Sequence, residues 1–219
     1  MKQMTKIPLL LLVLLIGVAA CGKDEPDVAN LVYDADNDST LEKLTTPVWR
    51  YYGDKPDDVT RIMYTYRQKG VYCLFPKTSA REQELQRLSQ QEGSQVEKLN
   101  GYYRVTRGRD FITDDDFISD CYFEGYYDHE PDFVIICPTI IVKTHSPETK
   151  DRILRAYLGM LTLDDNHFQG QREGMDYYMY YFDCHVNTSE QVLSLSDAIY
   201  WLDGVDWAEP NMYIRIHYF

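Results

Sequence analysis

Residues 205–216 read "VDWAEPNMYIRI" and residues 127–137 read "YDHEPDFVIIC". Each sets a Glu-Pro pair in front of an alternating apolar run. Proline fixes its own φ, restrains the residue before it to extended backbone and cannot donate to a ladder, so Pro131 and Pro210 suit the entrance to a strand. A small chain that writes this twice predicts two copies of one unit, each closing on such a strand.

Working back from 137, "GVYCLFPKT" is a short apolar strand. "SAREQELQRLSQQEG" follows as a helix, with Ser79 and Glu82 at capping-box spacing, Leu85 and Leu88 on one face and Gly93 as its stop. "SQVEKLNGYYRVTRG" supplies two strands joined by Asn100-Gly101, a dipeptide that tolerates the positive φ of a hairpin turn. "TDDDFISDCYFEG" reads as a second helix: Thr113 caps it, Asp114 to Asp116 favour its positive N-terminus, and Gly125 ends it.

The order to residue 137 is therefore β-α-β-β-α-β, and the remainder repeats it. "PTIIVKT" is a strand. "SPETKDRILRAYLGML" is a helix with Ser146 at the cap, Pro147 in the first turn, and Ile153, Leu154, Tyr157, Leu158 and Leu161 at helical spacing. A longer hairpin follows, then a helix carrying Val192, Leu195, Ile199 and Leu202 on one side, then the closing strand.

The expected fold class is α+β: two tandem ferredoxin-like β-α-β-β-α-β units with antiparallel sheets, at 69–137 and 138–219. Before them, "VWRYYGDKPDDVTRIMYTYR" predicts a β-hairpin over 46–68. Alternation puts Phe133, Ile135 and Cys137, with Met212, Ile214 and Ile216, against each unit's own helices. Val134 and Ile136 then lie on an opposite face that is also covered, and Asn211, Arg215 and His217 on a wetter one.

The amino terminus carries a different message. Lys2 and Lys6 precede an apolar run too short to span a bilayer comfortably, and small residues close it, the pattern of a secretory signal over 1–20. "VAAC" resembles the lipobox of bacterial lipoproteins, which implies cleavage before Cys21 and acylation there. Several acyl chains hold a protein on a membrane stably where one does not, so the chain would be anchored without spanning. "CGKDE" is similar to the Lys-then-acidic signal of Bacteroidetes lipoproteins at the cell surface, which implies an outer-membrane location with surface exposure.

Residues 21–45 are polar and acidic and predict a flexible tether. Asp34, Asp36 and Asp38 alternate like the start of an EF-hand loop, but Ser39 stands where the turn needs Gly and Thr45 where the bidentate Glu belongs, so no metal is expected. The chain carries 22 basic and 35 acidic residues, a net charge of −13, and cleavage would remove Lys2 and Lys6. Without a basic footprint, nucleic acid is not an expected partner. Outside the cell, Cys73, Cys121, Cys137 and Cys184 meet oxidising surroundings and allow three complete pairings.

No enzyme and no cofactor is expected. The sequence holds no HExxH, GxSxG, P-loop or GxGxxG. Cys184 and His185 are neighbours on a strand, so they point to opposite faces and form no nucleophile–base pair.

The residues "LSLSDAIYWLDGVDWAEPNMYI" resemble the end of the propeptide of subtilisin-like serine proteases, and "GSQVEKLNGYYRV" with "DHEPDF" resembles the same module more faintly. The resemblance implies a sheet that packs on surface helices of a protease, assists its folding and blocks its cleft. Carboxylates at the sheet edge would meet the unpaired N–H groups of helix N-termini. It assigns partner binding to Glu209 and Asn211, with Tyr213 and Arg215 on the exposed side of the last strand, and to Glu130 and Asp132 in the first unit. No protease domain follows Phe219, so inhibition or folding help would act in trans. The alternative is an interaction or immunity-type lipoprotein whose partner is not a protease.

Overall fold

The computed structural model describes residues 36–55, 60–106, 110–123 and 133–214. Cys21, the segment expected as a signal, most of the expected tether, Glu130, Pro131, Asp132 and Arg215 lie outside the described residues. The elements in chain order are β1 (Leu41–Tyr52), β2 (Thr60–Pro76), α1 (Ser79–Ser89), β3 (Val96–Lys98), β4 (Tyr103–Thr106), β5 (Asp116–Phe123), β6 (Phe133–Thr144), α2 (Glu148–Ala156), β7 (Leu161–Leu163), β8 (Gly170–Gln171), β9 (Tyr178–Cys184), α3 (Ser189–Tyr200) and β10 (Val205–Ile214). The class is α+β. None of these helices is long and apolar enough to cross a membrane.

The strands join one antiparallel sheet in the order β3-β4-β2-β5-β6-β9-β7, with β1 on β2, β10 on β6 and β8 on β9. This corrects the expectation of two separate sheets. The boundary expected between residues 137 and 138 falls inside β6, whose first residues pair with β5 and whose last pair with β9. Pro138 does not interrupt this strand, because the β6–β10 register slips between Pro210 and Met212, opposite it, and the bulge absorbs the missing donor.

The later half keeps the expected order β6-α2-β7-β9-α3-β10, and its strands lie side by side as β10-β6-β9-β7. The earlier half lays out β5-β2-β4-β3 in the same manner, with one helix among the described residues. Residues 116–123, expected as helix, form β5. The acidic cluster that suggested a helix start is used otherwise: Asp116 accepts from the Thr113 backbone N–H at 3.0 Å and holds Arg81 of α1 at 2.8 Å. Beyond it, aromatic and branched residues alternate between two buried faces, which suits a strand with neighbours on both sides.

β1 and β2 pair antiparallel over a longer stretch than the hairpin expected at 46–68. The first strand begins at Leu41 and the second runs through residue 69 into the earlier half, so the tether gives way to structure within the range assigned to it. The arm folds across α3 and reaches β10. Tyr51 stacks on Tyr200 at 4.8 Å, and the Lys55 backbone N–H donates to the Asp206 carbonyl at 3.0 Å.

All three helices cover one side of the sheet. Thr78, one residue earlier than the expected cap, accepts the Arg81 N–H and starts α1, which seats Leu85 among Leu74, Val96, Tyr103 and Val105. Thr188 and Gln191 form a reciprocal capping box on α3, which drives Val192, Leu193, Leu195 and Ile199 into the main core with Ile136, Ile140, Val142 and Phe182. The facing of β6 is the reverse of the expectation. Tyr122 pairs with Val134 and its hydroxyl bonds Ser189 of α3 at 2.8 Å, so Val134 and Ile136 take the helix side. Ile135 lies on the other side with Cys73, Cys121 and Val71. Met212 pairs with Ile136 on the helix side as expected, and Tyr213 with Ile135 on the far side.

Candidate functional site

The side of the sheet that no helix covers among the described residues is the candidate site, and it separates the residues named from sequence. Tyr213 is 42% exposed. Its ring lies 5.5 Å from Tyr102 and 6.4 Å from Phe75, and its hydroxyl sits 2.7 Å from where a side chain on Gly101 would begin. The Asn100-Gly101 turn read from the sequence is therefore what lets Tyr213 lie flat; Gly101 has φ +83°, accessible to glycine without strain. Asn211 is half-buried at the register slip.

Glu209 is not a free docking carboxylate. Arg50 of the hairpin holds it at 3.4 Å, the two side chains being 6% and 13% exposed, and Arg50 Nε donates to the Tyr64 hydroxyl at 3.0 Å. The physical reason is the hairpin arm, which brings a guanidinium to the strand where the resemblance expects open solvent. Glu130, Asp132 and Arg215 lie outside the described residues, so the structure brings only Tyr213 and Asn211 to this face.

Around Tyr213 the face sinks into a groove of about 680 Å³, floored by Cys121, Phe133 and Ile135 and walled by Gln68, Glu97, Lys98, Tyr102 and Arg104. Glu97 and Arg104 pair at 2.5 Å across the β3–β4 ladder. Apolar and aromatic surface framed by both signs of charge is a contact surface in chemical character. The thiol at its floor is shielded in the folded sheet: Cys121 Sγ lies 3.5 Å from Cys73 Sγ, both buried. The hydrogen bond between them, with burial, pushes the Cys73 thiol well up. Tyr102 and Arg104 were missed in the sequence, although the Asn-Gly turn ahead of an alternating "YYRV" places both on the side opposite Tyr103 and Val105.

Further along the same side, β9 turns Tyr181 and Asp183 outward beside Thr162 of β7. Tyr181 stacks on His167 at 4.6 Å, and His167 Nδ1 meets Asp164 Oδ2 at 2.5 Å. Burial raises the Asp164 carboxyl, but the Asn166 backbone N–H and His167 outweigh it and leave this group below its ordinary value. Asp183 is raised, by burial first and then by the charge of Asp164. His185 Nε2 is 3.0 Å from the Thr162 hydroxyl and exposed, while Cys184 faces the core, as their adjacency on a strand requires. Among the described residues no group of three His, Cys, Asp or Glu side chains is set to hold a metal ion. No family model, no curated protein and no solved structure matches the chain.

Proposed function

We propose that this chain is an exported, lipid-anchored outer-membrane protein that works as a protein-binding module through the helix-free side of its sheet. The observation that carries the reading is the partly exposed aromatic set in which Tyr213 and Tyr102 line the groove and Phe75 packs against both. Aromatic side chains held still beside mixed charge are what protein interfaces concentrate, because they bury large area at small entropic cost. The lipobox-like "VAAC" supports the anchor and the surface location.

We infer further that the two strand orders descend from a duplicated ferredoxin-like unit whose first copy lost its second helix. The matching arrangements β5-β2-β4-β3 and β10-β6-β9-β7 support this. With the resemblance of residues 193–214 to the protease propeptide end, the sharper form is a trans-acting inhibitor or folding helper of a subtilisin-like protease. The engagement of Glu209 by Arg50 favours the second reading, an interaction or immunity-type lipoprotein with another protein partner, since it removes one of the carboxylates the propeptide mode would use.

The full chain in detergent micelles is tested against purified subtilisin-like proteases encoded by the same genome. Inhibition or accelerated refolding that Tyr213→Ala and Tyr102→Ala each weaken by about 10-fold or more supports the sharper form. Inactivity toward all of them, with capture of a different envelope protein that the same substitutions release, supports the second. Capture that is indifferent to both substitutions removes this face from the function.

A further inference from the structure

Two of the four cysteines on ordered strands face each other. Cys73 of β2 and Cys121 of β5 are 0% and 3% exposed, and their Sγ atoms stand 3.5 Å apart. Cys73 lies opposite Ser119 in the ladder, which makes Cys121 its diagonal neighbour on the same side of the sheet, enclosed by Val71 and Ile135. The other two thiols are held elsewhere. Cys184 is in the core on the helix side, its Sγ directed to the Phe182 carbonyl at 3.8 Å. Cys137 is buried on β6 and hydrogen-bonded to the Tyr213 backbone.

We propose that Cys73 and Cys121 are joined by a disulfide that staples β2 to β5 in the exported protein. The occurrence of the bond in cells rests on the export reading above; the choice of partners rests on the geometry alone. A disulfide places its sulfurs about 2.05 Å apart, so the two Sγ atoms must close by about 1.5 Å, through side-chain rotation together with a small approach of β2 and β5.

The oxidant is a disulfide of the thiol-oxidising kind that exported chains meet. One cysteine thiolate attacks a sulfur of that disulfide, breaking its S–S bond and releasing one donor thiol. The second thiolate then attacks the mixed disulfide, forming the Cys73–Cys121 bond and releasing the other donor thiol. Two electrons reduce the donor, and the two protons given up by the cysteines end on the released thiols. The closed sheet hides both sulfurs from an attacking disulfide, so the bond forms while β2 and β5 are still open.

The test uses the full chain in detergent. It is unfolded with reductant, refolded in a mixture of oxidised and reduced glutathione, alkylated, digested and mapped by mass spectrometry. The expected product is one cross-linked peptide pair holding Cys73 and Cys121, with Cys137 and Cys184 alkylated; Cys137→Ser/Cys184→Ser keeps the link and Cys73→Ser loses it. Four alkylated strand cysteines after refolding, or a link to Cys137 or Cys184, overturns the proposal. A second sample is alkylated directly in cell envelopes. The link found there supports pairing and export together. A refolded chain that forms the link, beside an isolated chain that lacks it, upholds the pairing and sinks the export reading.

Discussion

Arg50 and Glu209 meet at 3.4 Å in the seam between the hairpin arm and the last strand, almost out of reach of water. Removing one charge from such a pair strands the other in a poorly solvating place, which costs about 3–5 kcal/mol. Arg50→Ala is expected to fall in that range and Glu209→Gln below it, read from urea midpoints. The loss should persist in 1 M salt, since a shielded pair is little screened. A midpoint that does not move would mean the arm is docked by its other contacts, those of Tyr51 and Lys55 among them.

Arg81 grips both carboxylate oxygens of Asp116, with Nε at 2.9 and 3.1 Å and a terminal nitrogen at 2.8 Å. The side chains are 4% and 0% exposed. Arg81→Ala should cost about 3–5 kcal/mol by the same reasoning. Arg81→Lys should recover only part of it, because an ammonium lacks the planar fork. Denaturant unfolding of the two variants separates these outcomes.

Gly101 and Tyr213 make a third test. Gly101→Ala adds a methyl 2.7 Å from the Tyr213 hydroxyl at φ +83°. Backbone strain alone predicts a loss of about 1–2 kcal/mol. The displaced ring adds to it, so the double variant Gly101→Ala/Tyr213→Phe should be more stable than Gly101→Ala alone. If the two changes are additive in thermal melts, the ring does not rest on this turn.

The carboxylates of Asp164 and Asp183 should respond oppositely to acid. Asp164 is held below its ordinary value, so its stabilising contribution is present above the unfolded aspartate pKa of about 4 and is lost as the pH falls through its lowered folded value. Asp164→Asn should therefore lower the melting temperature at pH 7 and have little effect near the acid limit. Asp183 is raised, so its contribution is complete below about 4 and lost as the pH rises through its folded value. Asp183→Asn should raise the melting temperature at pH 7, with the gain shrinking on acidification. Melting curves of both variants between pH 3 and 7 decide the signs.

The later half was legible in the sequence because its signals agree with one another. Pro147 starts α2, although the helix stops at Ala156 and leaves Leu161 to β7, and Val192, Leu195 and Ile199 fall on one stripe of α3. The earlier half misled at Asp114 to Asp116, where an acidic run that favours a helix start serves instead to grip an arginine from α1, a long-range partner that local pattern does not carry. The facing of β6 was unreadable for a related reason: Phe133 to Ile136 are all apolar, and period-two alternation says nothing about which side the helices take when both are buried. At the site, Tyr213 was legible from the alternation of β10, whereas the fate of Glu209 depended on a residue of the hairpin far away in the chain.

The sheet thins to three-residue strands at both ends of its path, Val96–Lys98 and Leu161–Leu163. Neither offers enough ladder for a neighbouring molecule to extend by strand pairing. The longer flank of β10 is broken by Pro210, which brings no N–H, and the Arg50 side chain closes over it at Glu209. Crowded copies would meet edge to edge, and margins this short or interrupted give such encounters little ladder on which to seed aggregates.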